Sequence, residues 1–172
     1  AGYEEMTNLP AKLRADMAEE YPLVTAKTVD RQISAIDGTQ KYLFEMADGC
    51  LVESVFMRYR FGNSVCISSQ VGCRMGCAFC ASTIGGCERS LTAGEILLQL
   101  ISLQATQGHI RNVVFMGMGE PFHNYEGVCE SIDRMTDKRA MDLSPGHITV
   151  STCGVVPMIH RYAHEGPKTE LA

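Results

Sequence analysis

The chain has 172 residues, 45% of them hydrophobic and 20% charged, with a formal net charge of −5. That length suits one ordinary domain, and the composition excludes a disordered, charge-rich chain. The negative balance excludes a general nucleic-acid binder, whose phosphate contacts rest on Lys and Arg, but leaves room for a local basic face.

Three sequence regions follow one another. In TNLPAKLRADMAEE, residues 7–20, Leu9, Leu13 and Met17 recur at helical spacing and predict a short amphipathic helix. It would close an N-terminal helical accessory domain ending near residue 24 and would need a surface to pack on. From 26 to 59, short alternating runs broken by Asp37-Gly38 and Asp48-Gly49 predict three antiparallel strands. This meander makes a small β subdomain over 25–62.

From residue 63 onward the period alternates. Strands are expected at 64–68, 112–116 and 147–151, and helices at 92–107, 125–136 and 155–164. Strand-helix alternation implies an α/β fold of parallel units, fitting a barrel-like or an open sheet, with the chemistry at the carboxyl ends of the strands. The final TELA reads as the start of another strand. Residues 63–172 then make three β-α units and an unfinished fourth, and the chain reads as a piece of a longer protein.

No apolar run of about 18 residues is present, and the amino terminus AGYEEMTNLP lacks the basic-then-apolar run of a signal peptide. The expectation is a cytoplasmic protein with no membrane partner. In a reducing compartment its eight cysteines read as metal ligands or reactive thiols rather than disulfides.

Three of them, in Cys73-Arg-Met-Gly-Cys77-Ala-Phe-Cys80, lie in the loop after the 64–68 strand. Three thiolates from one tight loop can grip one face of a 4Fe-4S cube and leave its fourth iron open to a small molecule. A closed zinc site would need a fourth ligand, which Cys66 or Cys87 could supply, but a second Cys-x-x-Cys or a His pair at finger spacing is missing. The Cys-x-x-x-Cys-x-aromatic-Cys pattern, with Phe79 before the last thiol, resembles the motif of radical S-adenosylmethionine enzymes. The resemblance implies that the open iron chelates the amino and carboxylate groups of S-adenosylmethionine, which one electron cleaves to a 5′-deoxyadenosyl radical.

The 112–116 strand runs into Gly117-Met118-Gly119-Glu120-Pro121. Glycines there permit close backbone approach to a ligand, and Glu120 can accept hydrogen bonds from a bound ammonium. Ser151, ending the 147–151 strand, either reaches the cofactor's ribose or carboxylate or caps the next helix.

The strings CISSQVGC (66–73), FMGMGEP (115–121) and STCGVVP (151–157) are together similar to the RlmN/Cfr family of radical RNA adenine methyltransferases. The similarity runs from about residue 5 to the end. It implies a partial (β/α) TIM-like barrel and methylation at C2 of an adenine in 23S rRNA and in tRNA; the Cfr branch instead methylates C8. The 4Fe-4S ligands would be Cys73, Cys77 and Cys80, and the cofactor contacts Gly119, Glu120 and Ser151.

In that family a carboxyl-terminal cysteine carries the methyl group, and a second cysteine helps to break the protein–RNA link. Cys66 matches the second; the first would lie beyond Ala172. Glu53, thirteen residues before Cys66, matches the family's proton acceptor. Leu51, Glu53, Val55 and Met57 alternate onto one strand face, so desolvation in an apolar row should raise the Glu53 pKa.

Arg58, Arg60, Arg74, Arg89, Lys138 and Arg139 are candidate phosphate contacts, with the target base leaving its stack. Cys50, Cys87, Cys129 and Cys153 are assigned no catalytic role, although Cys153 stands where the family's string usually has Ser. The family also implies a flavodoxin-like electron donor and a monomer. A radical enzyme that activates a protein glycine and a zinc module that binds RNA are the competing readings.

Overall fold

The computed structural model describes residues 2–21, 23 and 25–172. The boundary expected at residue 24 involves a position outside the described residues. Helix α1 spans Ala11–Glu20 after an N-cap at Pro10, starting three to four residues later than the Thr/Asn signal suggested. None of its residues is buried, and it is tied to the preceding turn by Arg14 donating to the Glu4 carbonyl at 2.5 Å.

Strands β1 (Ala26–Ile33), β2 (Gln40–Met46) and β3 (Leu51–Tyr59) form the expected antiparallel meander. Its turns use Gly38 and Gly49 at φ of 71° and 86°, the left-handed conformation that Asp-Gly dipeptides favour. The pairing does not stop at residue 62. β3 hairpins into β4 (Gly62–Cys66), which pairs in parallel with β7 (Ile110–Phe115), then β8 (Ile148–Val150) and β9 (Glu170–Leu171). The meander and the β-α units thus share one seven-stranded sheet with edges at β1 and β9. β9 is the strand expected from TELA.

One structural pair was not legible in the sequence: β5 (Gln70–Gly72) and β6 (Cys87–Ser90) pair antiparallel and close the cysteine loop at its base. Each strand is too short to show a periodicity.

Helices α2 (Ala93–Gln107), α3 (Tyr125–Thr136) and α4 (Val156–Glu165) follow the parallel strands. α2 begins at a capping box in which Thr92 and Glu95 satisfy each other's backbone amides. Its Ile96, Leu100 and Leu103 are fully buried, with Val128, Ile132 and Met135 of α3, against the sheet layer Phe56, Val65, Val113 and Ile148. The opposite face, Val55, Cys66, Val114 and Thr149, stays half-exposed. Helices on one face of a parallel sheet give the architecture of a part-barrel, and the uncovered face is its lumen side.

Candidate active site

The carboxyl ends of the parallel strands open into a cavity of about 320 Å³ whose wall includes Cys73, Cys77, Cys80, Gly119, Glu120 and Ser151. All six predicted cluster and cofactor residues meet there. A larger hollow of about 460 Å³ lies at the amino ends of the strands beside Asn63, His109 and His147. None of the sequence motifs reaches it, and parallel sheets bind ligands at the other end.

Two loops build the cavity, and they are stitched to each other. Ser69 and Gln70 amides both donate to the Met118 carbonyl, at 2.9 and 3.1 Å. The Ser68 hydroxyl accepts from the Met118 amide at 2.9 Å and donates to the Glu53 carbonyl at 2.5 Å, while Gln70 Oε1 accepts from the Glu120 amide at 3.0 Å. Beneath them the fully buried Gln99 accepts from Ser54 Oγ at 2.7 Å and the Ser68 amide at 2.9 Å, and donates to the Ser68 carbonyl at 3.0 Å. The polar string after Cys66 therefore consists of buried partners that lock the 117–121 loop.

The glycines serve this contact. A Cβ on Gly117 would lie 2.7 Å from the Ile67 carbonyl, and one on Gly119, at φ 99°, 2.6 Å from Gln70 Cβ. Both glycines also line the cavity, where the sequence predicts ligand approach, and on their other side they admit the preceding loop. At the base of the cysteine loop, Gly72 at φ 74° faces the Gly86 carbonyl, which accepts from the Cys73 amide at 2.8 Å.

Glu120 is buried, and its carboxylate takes four hydrogen bonds. Phe122 N and Thr152 Oγ1 donate to Oε1 at 3.0 and 2.8 Å; Cys153 N and Sγ donate to Oε2 at 2.8 and 2.9 Å. Burial pushes its carboxyl up, but these donors outweigh burial and hold it below the ordinary glutamate value. A buried anion aimed into a cavity suits a cationic group. Burial and the neighbouring Glu120 push the Cys153 thiol up to about 12. Thr152 and Cys153 were missed as site residues, although both lie in the STCGVVP string. Ser151 lines the cavity and does not cap α4, whose first turn begins five residues later.

Glu53 and Cys66 stand outside that cavity but beside it. Cys66 pairs across the hairpin with Val55, so Glu53 is its diagonal neighbour on the lumen face. The Cys66 thiol, raised by burial, contacts the Met116 backbone at the cavity's edge. Glu53 lines an adjoining hollow with Met118 and Ala81, and its amide donates to Met118 Sδ at 3.4 Å. Glu53 is not sealed within the expected apolar row. Its side chain is 43% exposed and ion-paired with Lys41 at 2.8 Å, because the lumen face is open.

The candidate RNA contacts divide. Arg89 is engaged by Asp48 at 2.6 Å and Glu95 at 2.7 Å, and Arg139 by Asp137 at 2.9 Å. Arg58, Arg60, Arg74 and Lys138 are exposed. Cys129 lies in α3, half-buried, as its packing role implied, and burial lifts its thiol to about 11.

The donor set fits an iron–sulfur cluster. Among the described residues no three His, Cys, Asp or Glu side chains converge on a single ion. Cys73, Cys77 and Cys80 come from one loop and line the same cavity, and thiolates are the ligands an iron–sulfur cluster takes.

A part-barrel carrying three thiols and a glycine-flanked carboxylate at its strand ends defines a radical S-adenosylmethionine domain. The chain belongs to the Radical SAM superfamily, whose family model matches residues 67–169. Its cofactors are accordingly a 4Fe-4S cluster and S-adenosylmethionine. The chain is similar to proteins named probable dual-specificity RNA methyltransferase RlmN from Lachnoclostridium phytofermentans, 48% identical over 171 residues, and Geobacillus thermodenitrificans, 44% identical over 174. Each comparison covers 99% of this chain and 48% of the relative, so the chain spans about half their length. A radical SAM methyltransferase of Sphaerobacter thermophilus superposes with a TM-score of 0.90 at 41% identity, covering 99% of this chain and 51% of that one.

Proposed function

We propose that this chain is the catalytic core of a radical enzyme that methylates C2 of an adenine in 23S rRNA and in tRNA. The observation that carries the reading is the shared cavity of Cys73, Cys77, Cys80 and Glu120, combined with similarity to RlmN enzymes along almost the whole chain. When bound, the cluster and S-adenosylmethionine would supply a 5′-deoxyadenosyl radical, giving access to radical chemistry at an aromatic carbon that polar methyl transfer cannot modify.

The chain's own residues prepare that chemistry. Cys73, Cys77 and Cys80 would hold the cluster through their thiolates, one iron each. Glu120, kept ionised by its donors, receives the cofactor's ammonium, and Gly119 and Ser151 shape the rest of its seat. Cys66 keeps its proton at neutral pH until its thiol is needed to break the protein–RNA link. Glu53 accepts a proton at the lumen face, its carboxylate held by Lys41 until the base arrives. None of the eight cysteines of this chain is given the methyl-carrying role in this reading.

The same reading gives RNA partners, a flavodoxin-like electron donor, a monomer and a cytoplasmic setting. No helix among the described residues is long and apolar enough to cross a membrane.

The test is anaerobic reconstitution with iron and sulfide, followed by electron paramagnetic resonance of the reduced protein. A 4Fe-4S signal that shifts with S-adenosylmethionine and disappears in Cys77→Ala supports the reading; stoichiometric zinc in its place overturns it. Mass mapping of 2-methyladenine in RNA treated with the complete enzyme then separates C2 from C8 methylation.

A further inference from the structure

Four thiols, not three, face the cofactor cavity. Cys153, in the turn after β8, lines the same wall as Cys73, Cys77 and Cys80. Its sulfur lies 2.9 Å from Glu120 Oε2, so it sits where a cofactor ammonium has to arrive. Cys77 lines the same cavity. Cys153 therefore shares the cavity with the three cluster thiols and touches the carboxylate that would receive the cofactor's ammonium.

Orienting Glu120 does not require sulfur. The Cys153 amide already donates to Oε2 at 2.8 Å, and a hydroxyl is a better donor than a thiol. Sulfur differs from oxygen in its affinity for iron in a cluster. Cys153 is exposed, which leaves its side chain room to turn away from Glu120.

We propose that Cys153 is a displaceable fourth ligand of the cluster, occupying the open iron while S-adenosylmethionine is absent and leaving it when the cofactor binds. The proposal rests on the cluster assignment. Coordination releases one proton from the thiol, cofactor entry returns one proton to it, and no electron moves in either direction. A resident fourth ligand protects the exposed iron from oxidative loss. It also weakens apparent cofactor affinity, because only the unligated fraction can bind.

The test uses the reconstituted protein and its Cys153→Ser and Cys153→Ala variants, without cofactor, titrated anaerobically with ferricyanide. Oxidation by one electron expels the exposed iron as Fe(II) and leaves a 3Fe-4S cluster with its own paramagnetic signal. The proposal expects that signal to grow about tenfold faster in both variants than in the wild type, because an iron lacking a protein ligand is the one released. It also expects tighter cofactor binding by both variants in equilibrium titration. Equal conversion in all three proteins, with a cofactor-responsive cluster in each, overturns the fourth-ligand assignment alone. A wild type that loads no 4Fe-4S cluster overturns both this assignment and the functional reading beneath it.

Discussion

At the scale of single residues, Glu120 is the group whose environment speaks most directly to its role. It is buried yet held ionised, and a carboxylate with four donors keeps its charge well into acid. Its folded pKa lies below the unfolded value, so its stabilising contribution is complete above about pH 4.3 and lost as pH falls through the folded value. Glu120→Gln should therefore flatten part of the acid limb of a stability–pH profile measured by chemical denaturation. The same substitution should weaken cofactor binding by about tenfold to a hundredfold, the worth of a hydrogen bond to a charged partner, as read by titration of the cluster-loaded protein. Cys66 offers a contrasting case. Burial raises its thiol, so alkylation of its peptide should be slow at pH 7 and continue to accelerate above the range of an exposed thiol, by mass spectrometry.

At the scale of elements, the fold depends on how closely two loops approach. Gly119 has positive φ and Gln70 against its Cα, whereas Gly38 has positive φ and nothing within 4 Å. Gly38→Ala should incur backbone strain alone, about 1–3 kcal/mol, and Gly119→Ala that strain plus the displacement of the 66–72 loop. Thermal unfolding should show the larger drop for Gly119→Ala, at about 2–4 °C per kcal/mol for a chain of this size. The glycines of FMGMGEP were visible in the sequence, but their contact with the preceding loop was not. A string shows that a position tolerates no side chain, not which atoms exclude it. The β5–β6 pair escaped notice for a related reason, since its hydrogen bonds join residues far apart in sequence and its strands are too short for a pattern.

At the scale of the whole molecule, a net charge of −5 makes the placement of each free cation matter. Arg89 ties α2's first turn to the β2–β3 turn, so Arg89→Ala should lower the melting temperature while leaving RNA affinity unchanged. Arg58, Arg60 and Arg74 are exposed; each Ala variant should reduce the slope of log affinity against log salt by about 0.7–0.9 if that residue meets a phosphate. Filter binding of RNA by the complete enzyme over a salt series measures both outcomes. Choosing among these cations needed coordinates, because an arginine's sequence neighbours do not reveal which acid folds back onto it.

The strand–helix alternation, the Asp-Gly turns, the three-thiol loop and the cofactor string were all legible in the amino-acid sequence, because each is local: a period, a dipeptide or a fixed spacing carries its own physical cause. Convergence was not local. Joining the meander to the parallel strands in one sheet, pairing Glu53 with Lys41 on an open face and bringing Cys153 onto Glu120 all depend on groups that meet only when separate segments pack. Tertiary structure alone decided those contacts, since burial and charge pairing are set by neighbours in space.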